Sequence, residues 1–176
     1  MPNKDKLYRH GNYEKSGFDD WTTPLHVIRD LEIEFGKLHD PCPRDWKRDT
    51  HPNGLHVPWS LVFYNFVNPP YSDIKNWVKK CFHEWERGSG VLLLIPPRTD
   101  TKYFHEYIYN NAHLRFYKGR LKFGKGSPKP APAPFPSMLC IFPRISDYVS
   151  QYDVNDKEVI NWAEKEENRR KQSLLD

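Results

Sequence analysis

The sequence predicts an α/β fold, a compact and mostly parallel sheet flanked by helices. Apolar runs at 62–67 and 91–95 are each followed by a short proline-containing loop and then by residues at helical spacing. This strand, loop, helix, strand, loop, helix order is the βαβ pattern of parallel sheets. Size is the second observation, because 176 residues with 38% apolar content bury one core and hardly two. The expected organisation is a polar arm over 1–20, one domain over 21–143, and an extension over 144–176 that carries a charged helix.

Along the chain, the arm holds Lys4, Lys6, Arg9, His10 and Lys15 with few aliphatics, a composition with little to bury. Thr22-Thr23-Pro24 signals the first helix: a hydroxyl cap precedes proline at the first helical position, Leu25, Ile28, Leu31 and Phe35 share one face, and Gly36 ends it. A short strand is expected over 37–40. Asp40-Pro41-Cys42-Pro43 leaves it as a turn, since proline cannot donate to a sheet ladder. Residues 44–60 are polar and contain Pro52, Gly54 and Pro58, and so read as loop. The strand at 62–67 runs straight into Asn68-Pro69-Pro70-Tyr71. Ser72 or Asp73 then caps a helix with Ile74, Trp77, Val78, Cys81, Phe82 and Trp85 on one face.

Arg87-Gly88-Ser89-Gly90 breaks that helix before the strand at 91–95, and Pro96-Pro97-Arg98-Thr99-Asp100 opens a third helix carrying Tyr103, Phe104, Tyr107 and Ile108. Strands follow at 113–117 and 138–142. Between them lie Gly119-Arg120-Leu121-Lys122-Phe123 and a stretch at 124–134 too rich in proline for a central strand. Asn155-Asp156 signals a last helix with Val159, Ile160, Trp162 and Ala163 on one face, ending in the charged run 165–171.

A formal charge of +4 and a pI near 8.9 permit an anionic polymer as partner without requiring one. No apolar run approaches the roughly 20 residues that span a bilayer, and the first residues lack a signal-peptide apolar segment. The expectation is a protein of the cytoplasm with no membrane partner. Three cysteines without a C-x-x-C pair argue against a disulfide framework and a zinc ribbon. His39, Cys42, His51 and His56 match no standard finger spacing, so no metal is expected. Cys81 and Cys140 lie on apolar faces and read as core.

In open α/β sheets ligands bind at the carboxyl ends of strands. The loops 40–43, 68–71 and 96–100 fall at such ends. An aromatic exocyclic amine such as adenine N6 is a poor nucleophile because its lone pair is delocalised into the ring. The Asn68 carboxamide oxygen and the Pro69 carbonyl can accept the two amine hydrogens and localise that pair, with the prolines holding both acceptors at fixed angles. Tyr71 can stack on the base, worth roughly 1 to 3 kcal/mol. The same tetrapeptide also occurs as a plain turn before a capped helix. Its place between an apolar strand and an amphipathic helix favours the catalytic reading.

From these residues onward the chain resembles the Dam-type phage DNA N6-adenine methyltransferase family. The resemblance spans about residues 20–143. It is carried by Asp20-Trp21-Thr22-Thr23-Pro24, Asp40-Pro41-Cys42, Asn68-Pro69-Pro70-Tyr71, Arg98-Thr99-Asp100-Thr101 with Phe104-His105, Gly119-Arg120-Leu121-Lys122-Phe123, and Ala133-Pro134-Phe135-Pro136-Ser137. It implies a Rossmann-like class I methyltransferase fold, S-adenosylmethionine as methyl donor, and phage or virus origin, with the host cytoplasm or a eukaryotic host's nucleus as location. Asn68 to Tyr71 would be catalytic. Trp21, Thr22, Thr23, Pro24, Asp40, Pro41, Cys42 and Asn68 would lie against the donor, and Tyr71, Arg98, Thr99, Asp100, Gly119, Arg120 and Lys122 would border the substrate.

Two departures from the family stand out. No glycine-rich loop follows the first strand, and an expected Asp-Gly-Leu is Asn53-Gly54-Leu55 here. Asp40 suits the donor's ammonium, a ribose hydroxyl or a turn before proline. Arg98 suits a phosphate, the donor's carboxylate or a structural ion pair. The cations Lys118, Arg120, Lys122, Lys125 and Lys129 suit either a phosphate track beside a flipped base or a solvated loop. Duplex or single-stranded DNA is the expected partner, with target choice left to the arm, the loops 44–60 and 118–135, or a second copy of the chain. Alternatives are methylation of RNA adenine, of cytosine N4 or of a protein glutamine, and an inactive nucleic-acid-binding module.

Overall fold

The computed structural model describes residues 22–43, 53–124, 131–144 and 146–147. Along the chain come helix α1 (Leu25–Phe35), β1 (Leu38–His39), β2 (Tyr64–Val67), helix α2 (Ile74–Glu86), β3 (Val91–Ile95), β4 (His113–Phe116), β5 (Lys122–Phe123), β6 (Ala131–Pro132) and β7 (Met138–Phe142). The arm, Trp21 and the last helix of the sequence reading lie outside the described residues.

Every residue of β2 and β3 is buried, because both faces of the sheet are covered. On one face Val91, Leu93, Ile95, Met138, Cys140 and Phe142 meet Trp77, Val78, Cys81 and Trp85 of α2, together with Tyr103, Phe104 and Ile108. On the other, Phe66, Leu92, Leu94 and Leu139 meet Val27 and Leu31 of α1 and the side chains of Leu121, Phe123 and Phe135. The alternation along β3 sets this division, since successive strand residues point to opposite faces.

The α/β class and flanking helices agree with expectation, while the sheet is mixed rather than mostly parallel. In its order β1-β2-β3-β7-β4, the first two pairings are parallel and the last two antiparallel. β4 lies antiparallel to β7, which is itself antiparallel to β3, so β4 runs in the same direction as β1, β2 and β3. The chain reaches β7 through the two-stranded β5–β6 ribbon. Antiparallel neighbours need no helical crossover, which is why a short ribbon suffices there. Among the described residues no helix is long and apolar enough to cross a membrane.

Local corrections have local causes. The strand expected from 62 begins at Tyr64, because the Ser60 hydroxyl accepts the N–H groups of Val62 and Phe63 and turns that stretch outward. Leu61 and Val62 are 61% and 70% exposed. The third helix is a π-helical turn, Phe104–Ile108, in which the Tyr109 N–H reaches back to the Phe104 carbonyl at 2.8 Å. Spacing of one, four and five residues among Tyr103, Phe104, Tyr107 and Ile108 serves a wide turn as well as an α-helix. Pro24 occupies the N-cap of α1 with no side-chain cap bond, and Asp73 does the same for α2. The Asp73 carboxylate instead accepts from Asn76 Nδ2 at 2.6 Å, and Thr23 has another partner, described below.

Burial raises the phenol pKa of Tyr64, Tyr71, Tyr103 and Tyr117. In the unfolded chain these phenols titrate near 10, so above that pH the folded state binds more protons than the unfolded one. Their contribution is therefore intact below about pH 10 and is lost as pH rises toward the folded values. The melting temperature should begin to fall near pH 9, where the thiols of the unfolded chain ionise while burial keeps Cys42, Cys81 and Cys140 protonated, and fall more steeply above 10, where Tyr71→Phe should flatten the fall. An unchanged alkaline slope in the variant would remove Tyr71 from the account.

Candidate functional site

Because β1, β2, β3 and β4 run one way, the loops that follow them leave at one edge. The sequence alone placed three of these loops together, and the topology adds Tyr117 to Arg120. Between the first two loops opens a cleft of about 550 Å³, within the size range of small-ligand sites. Asp40, Pro41, Cys42 and Pro43 line one side and Asn68 and Pro70 another. Thr22, Thr23, Leu25 and Ile28 contribute from the start of α1, and Asp73 and Trp77 from α2.

Asn68 stands directly after β2 and is half-buried. Its Nδ2 donates to Thr23 Oγ1 at 3.1 Å, which turns the carboxamide oxygen the other way. That oxygen accepts from the Tyr71 hydroxyl at 3.4 Å, a length at which the bond is weak. The Tyr71 ring meets Phe135 edge-on, with centroids 5.3 Å apart. Pro69 is buried. The Pro70 carbonyl accepts the Asp73 N–H at 3.1 Å, so the motif passes through a 3₁₀ turn, Tyr71–Asp73, into α2.

Asp40 and Cys42 share the cleft with Asn68. Asp40 Oδ1 accepts the Cys42 N–H at 2.8 Å, the turn-forming bond that an aspartate before proline supplies. Cys42 is shielded enough that burial, aided by the Asp40 charge, pushes its thiol up to about 12; it is a wall and not a nucleophile.

The sequence reading missed the wall formed by Asn53, Gly54 and Leu55. Gly54 packs so closely on Pro41 that a β-carbon there would overlap the Pro41 carbonyl oxygen. Its own carbonyl accepts from Trp59 Nε1 at 2.7 Å. Trp59 stacks on Trp77 at 6.3 Å, and its backbone N–H donates to the buried Glu84 carboxylate at 3.1 Å, which also holds Lys80 Nζ at 2.6 Å. Asn65, fully buried in β2, accepts the Ser60 N–H at 3.1 Å and donates to the carbonyls of Ser60 and Gly90 at 2.9 and 3.0 Å. The Asn53-Gly-Leu departure was the one available signal for this wall; nothing in a linear reading marks Asn65 or Glu84 as buried.

Arg98, Thr99 and Asp100 follow β3 at the same edge but do not line the cleft. The turn that carries them is held by the Arg98 carbonyl, which accepts the Thr101 hydroxyl at 2.7 Å. Gly119, at φ +78°, supplies the left-handed turn into the ribbon. Arg120 is exposed and donates to the Ala133 carbonyl at 3.2 Å, bracing the ribbon, and Lys122 is exposed on β5. The ribbon is joined to the cleft: Thr22 and Gly124 exchange backbone bonds of 2.9 and 3.0 Å, and Phe135 backs Tyr71.

The arrangement sets a carboxamide, with the Tyr71 hydroxyl bonded to it, in the wall of a mainly apolar cleft that two aspartates also line, which suits docking an amine beside a cationic donor. Comparison with protein families matches residues 10–165 to the DNA N-6-adenine-methyltransferase (Dam) family. The DNA N-6-adenine-methyltransferase of Escherichia phage T1 is 28% identical over 118 residues, which cover 62% of this chain and 49% of that relative. The chain thus spans about half the length of the curated relative it matches. No solved structure matches.

Proposed function

The chain belongs to the DNA N-6-adenine-methyltransferase (Dam) family, and from that premise we propose that it transfers a methyl group from S-adenosylmethionine to adenine N6 in DNA, as a phage- or virus-encoded enzyme acting in its host's cytoplasm. The observation that supports this proposal is the Asn68 carboxamide, whose Nδ2 donates to Thr23 Oγ1 at 3.1 Å while its oxygen, on the other side, accepts a long 3.4 Å bond from the Tyr71 hydroxyl. In this proposal the 21–143 domain is a shortened Rossmann-like methyltransferase unit, with the one reversed strand β7 set between strands that all run the other way.

The cleft's chemistry fits the donor. Leu25, Ile28, Phe66 and Trp77 offer apolar walls for a flat heterocycle, and Asp40 and Asp73 offer carboxylates for ribose hydroxyls and an ammonium. Thr22, Thr23, Pro41 and Cys42 would complete the enclosure. When bound, S-adenosylmethionine supplies a methyl group already activated by its sulfonium. Asn68 Oδ1 and the Pro69 carbonyl accept the two amine hydrogens and draw the nitrogen lone pair out of the ring. Tyr71 releases its weak bond to Asn68 and lies on the base face. The nitrogen becomes acidic as its new bond to carbon forms and the carbon–sulfur bond breaks, its electron pair staying on sulfur as a neutral thioether; the surplus proton passes to water, so positioning dominates and no dedicated base is required.

An adenine within a duplex must leave the stack to reach this cleft. Arg98, Thr99, Asp100, Gly119, Arg120 and Lys122 are the residues at the same edge that would meet the flipped strand, their cations facing phosphates. The test is incubation of the full chain with methyl-labelled S-adenosylmethionine and, separately, unmethylated duplex DNA, single-stranded DNA and RNA, followed by digestion and mass spectrometry of the nucleosides. N6-methyladenine from DNA is the expected product. Label in RNA or at cytosine N4 would move the substrate, and a chain that binds no donor would be a binding module rather than an enzyme.

A further inference from the structure

We infer that Thr23 is a positioning residue for methyl transfer, anchoring the nitrogen end of the Asn68 carboxamide while the substrate amine takes the oxygen end, rather than serving chiefly as a donor contact; this rests on the methyltransferase reading above. A carboxamide's oxygen and nitrogen ends are nearly the same size, so shape alone does not choose between them. The choice decides the chemistry. With oxygen toward the cleft the group accepts an amine hydrogen, and with nitrogen toward the cleft it opposes donor to donor.

Two partners must be satisfied at once. The substrate amine is a donor and needs the oxygen. Thr23 Oγ1, 3.1 Å from Nδ2, is then the acceptor for the nitrogen on the opposite side. Thr23 is 9% exposed, so an amide N–H stripped of this acceptor loses a bond that water does not readily replace.

The backbone that carries the hydroxyl is held on both sides. Thr22 is bridged to Gly124, and Pro24 accepts the N–H groups of Val27 and Ile28 at 3.0 and 3.3 Å as α1 begins. A threonine expected to cap a helix therefore points across the sheet edge to a residue far along the chain. By contrast, the Tyr71 bond on the oxygen side is long at 3.4 Å and gives way easily to an incoming amine.

The experiment compares wild type, Thr23→Val and Thr23→Ser in the full chain. Methylation is measured at saturating DNA, the donor's Kd is measured by calorimetry, and the Asn68 side-chain NH₂ signals, assigned with Asn68→Ala, are followed by NMR relaxation. Thr23→Val keeps the shape and removes the hydroxyl; it should lower kcat by about 10- to 100-fold, the scale of a small misplacement of a reacting group, with the donor's Kd within about threefold of wild type and the Asn68 amide more mobile. Thr23→Ser should recover most of kcat and restore the amide's order. A Thr23→Val protein that binds the donor much more weakly while keeping kcat overturns the inference in favour of a donor contact, and an amide equally ordered in Thr23→Val overturns it as well. Should wild type itself transfer no methyl to DNA adenine, the enzymatic reading fails on its own, and the NMR comparison still decides whether Thr23 holds Asn68.

Discussion

Replacing Asn68 by alanine should lower kcat for methyl transfer by about 10²- to 10³-fold, the scale seen when one preorganised hydrogen-bonding group is taken from a transition state. The reason is differential. In the ground state the adenine amine is a nearly planar, weak donor, and its bond to Asn68 Oδ1 adds little beyond what water offers. As the nitrogen becomes cationic its hydrogens become strong donors, and an acceptor already fixed in place gains strength without reorganising. The donor's Kd should move little, because the apolar walls and the carboxylates of Asp40 and Asp73 remain. Fold should be kept too, because Asn68 is only half-buried and stands in the loop after β2 rather than in the core. The check is single-turnover methylation alongside donor calorimetry and a melting curve. A variant with full kcat would show that the tetrapeptide is a turn and no more, whereas lost donor binding with normal chemistry would make Asn68 part of the donor pocket alone.

What the sequence discloses is what is written locally. The β3 run is apolar at every position, and α2 repeats its large side chains every three to four residues, so the strand, the motif and the helix stand where periodicity puts them. The cleft follows in part, because Asp40 and Asn68 each end a strand of one parallel pair. Other features depend on partners distant in the chain. The residues of β7 read the same in either direction, and only the route through the ribbon reverses them. Thr23 looks like a helix cap because the threonine-proline pair is a local signal, while its actual partner is 45 residues on. Asn65 and Glu84 look like surface residues; each is buried against a partner 25 residues away, Gly90 for Asn65 and Trp59 for Glu84, a distance that no short window spans. Gly54 reads as a loop glycine, and its requirement appears only once Pro41 lies against it.

That requirement makes Gly54→Ala the tightest glycine-to-alanine change among the described residues. The new β-carbon would occupy the space of the Pro41 carbonyl oxygen and sit 3.2 Å from Trp77 Cη2. Overpacking typically costs about 1 to 3 kcal/mol, and the upper end applies where the obstacle is backbone rather than a side chain that can rotate. Neither side yields easily. Pro41 is fixed by its ring and by the Asp40-to-Cys42 turn bond, while Gly54 is tied through its carbonyl to Trp59, which Glu84 and Trp77 hold in turn. For a chain of this size a loss of about 3 kcal/mol lowers the melting temperature by roughly 10 °C. The loops that part are also adjoining walls of the cleft, so donor affinity should fall at least about tenfold even at a temperature where the variant is folded, each factor of ten being about 1.4 kcal/mol. Calorimetric titration with S-adenosylmethionine well below the melting transition separates the two effects. A variant that melts within 2 °C of wild type would place the 53–55 loop elsewhere, and one that melts early but binds the donor normally would keep the packing while removing this wall from the donor site.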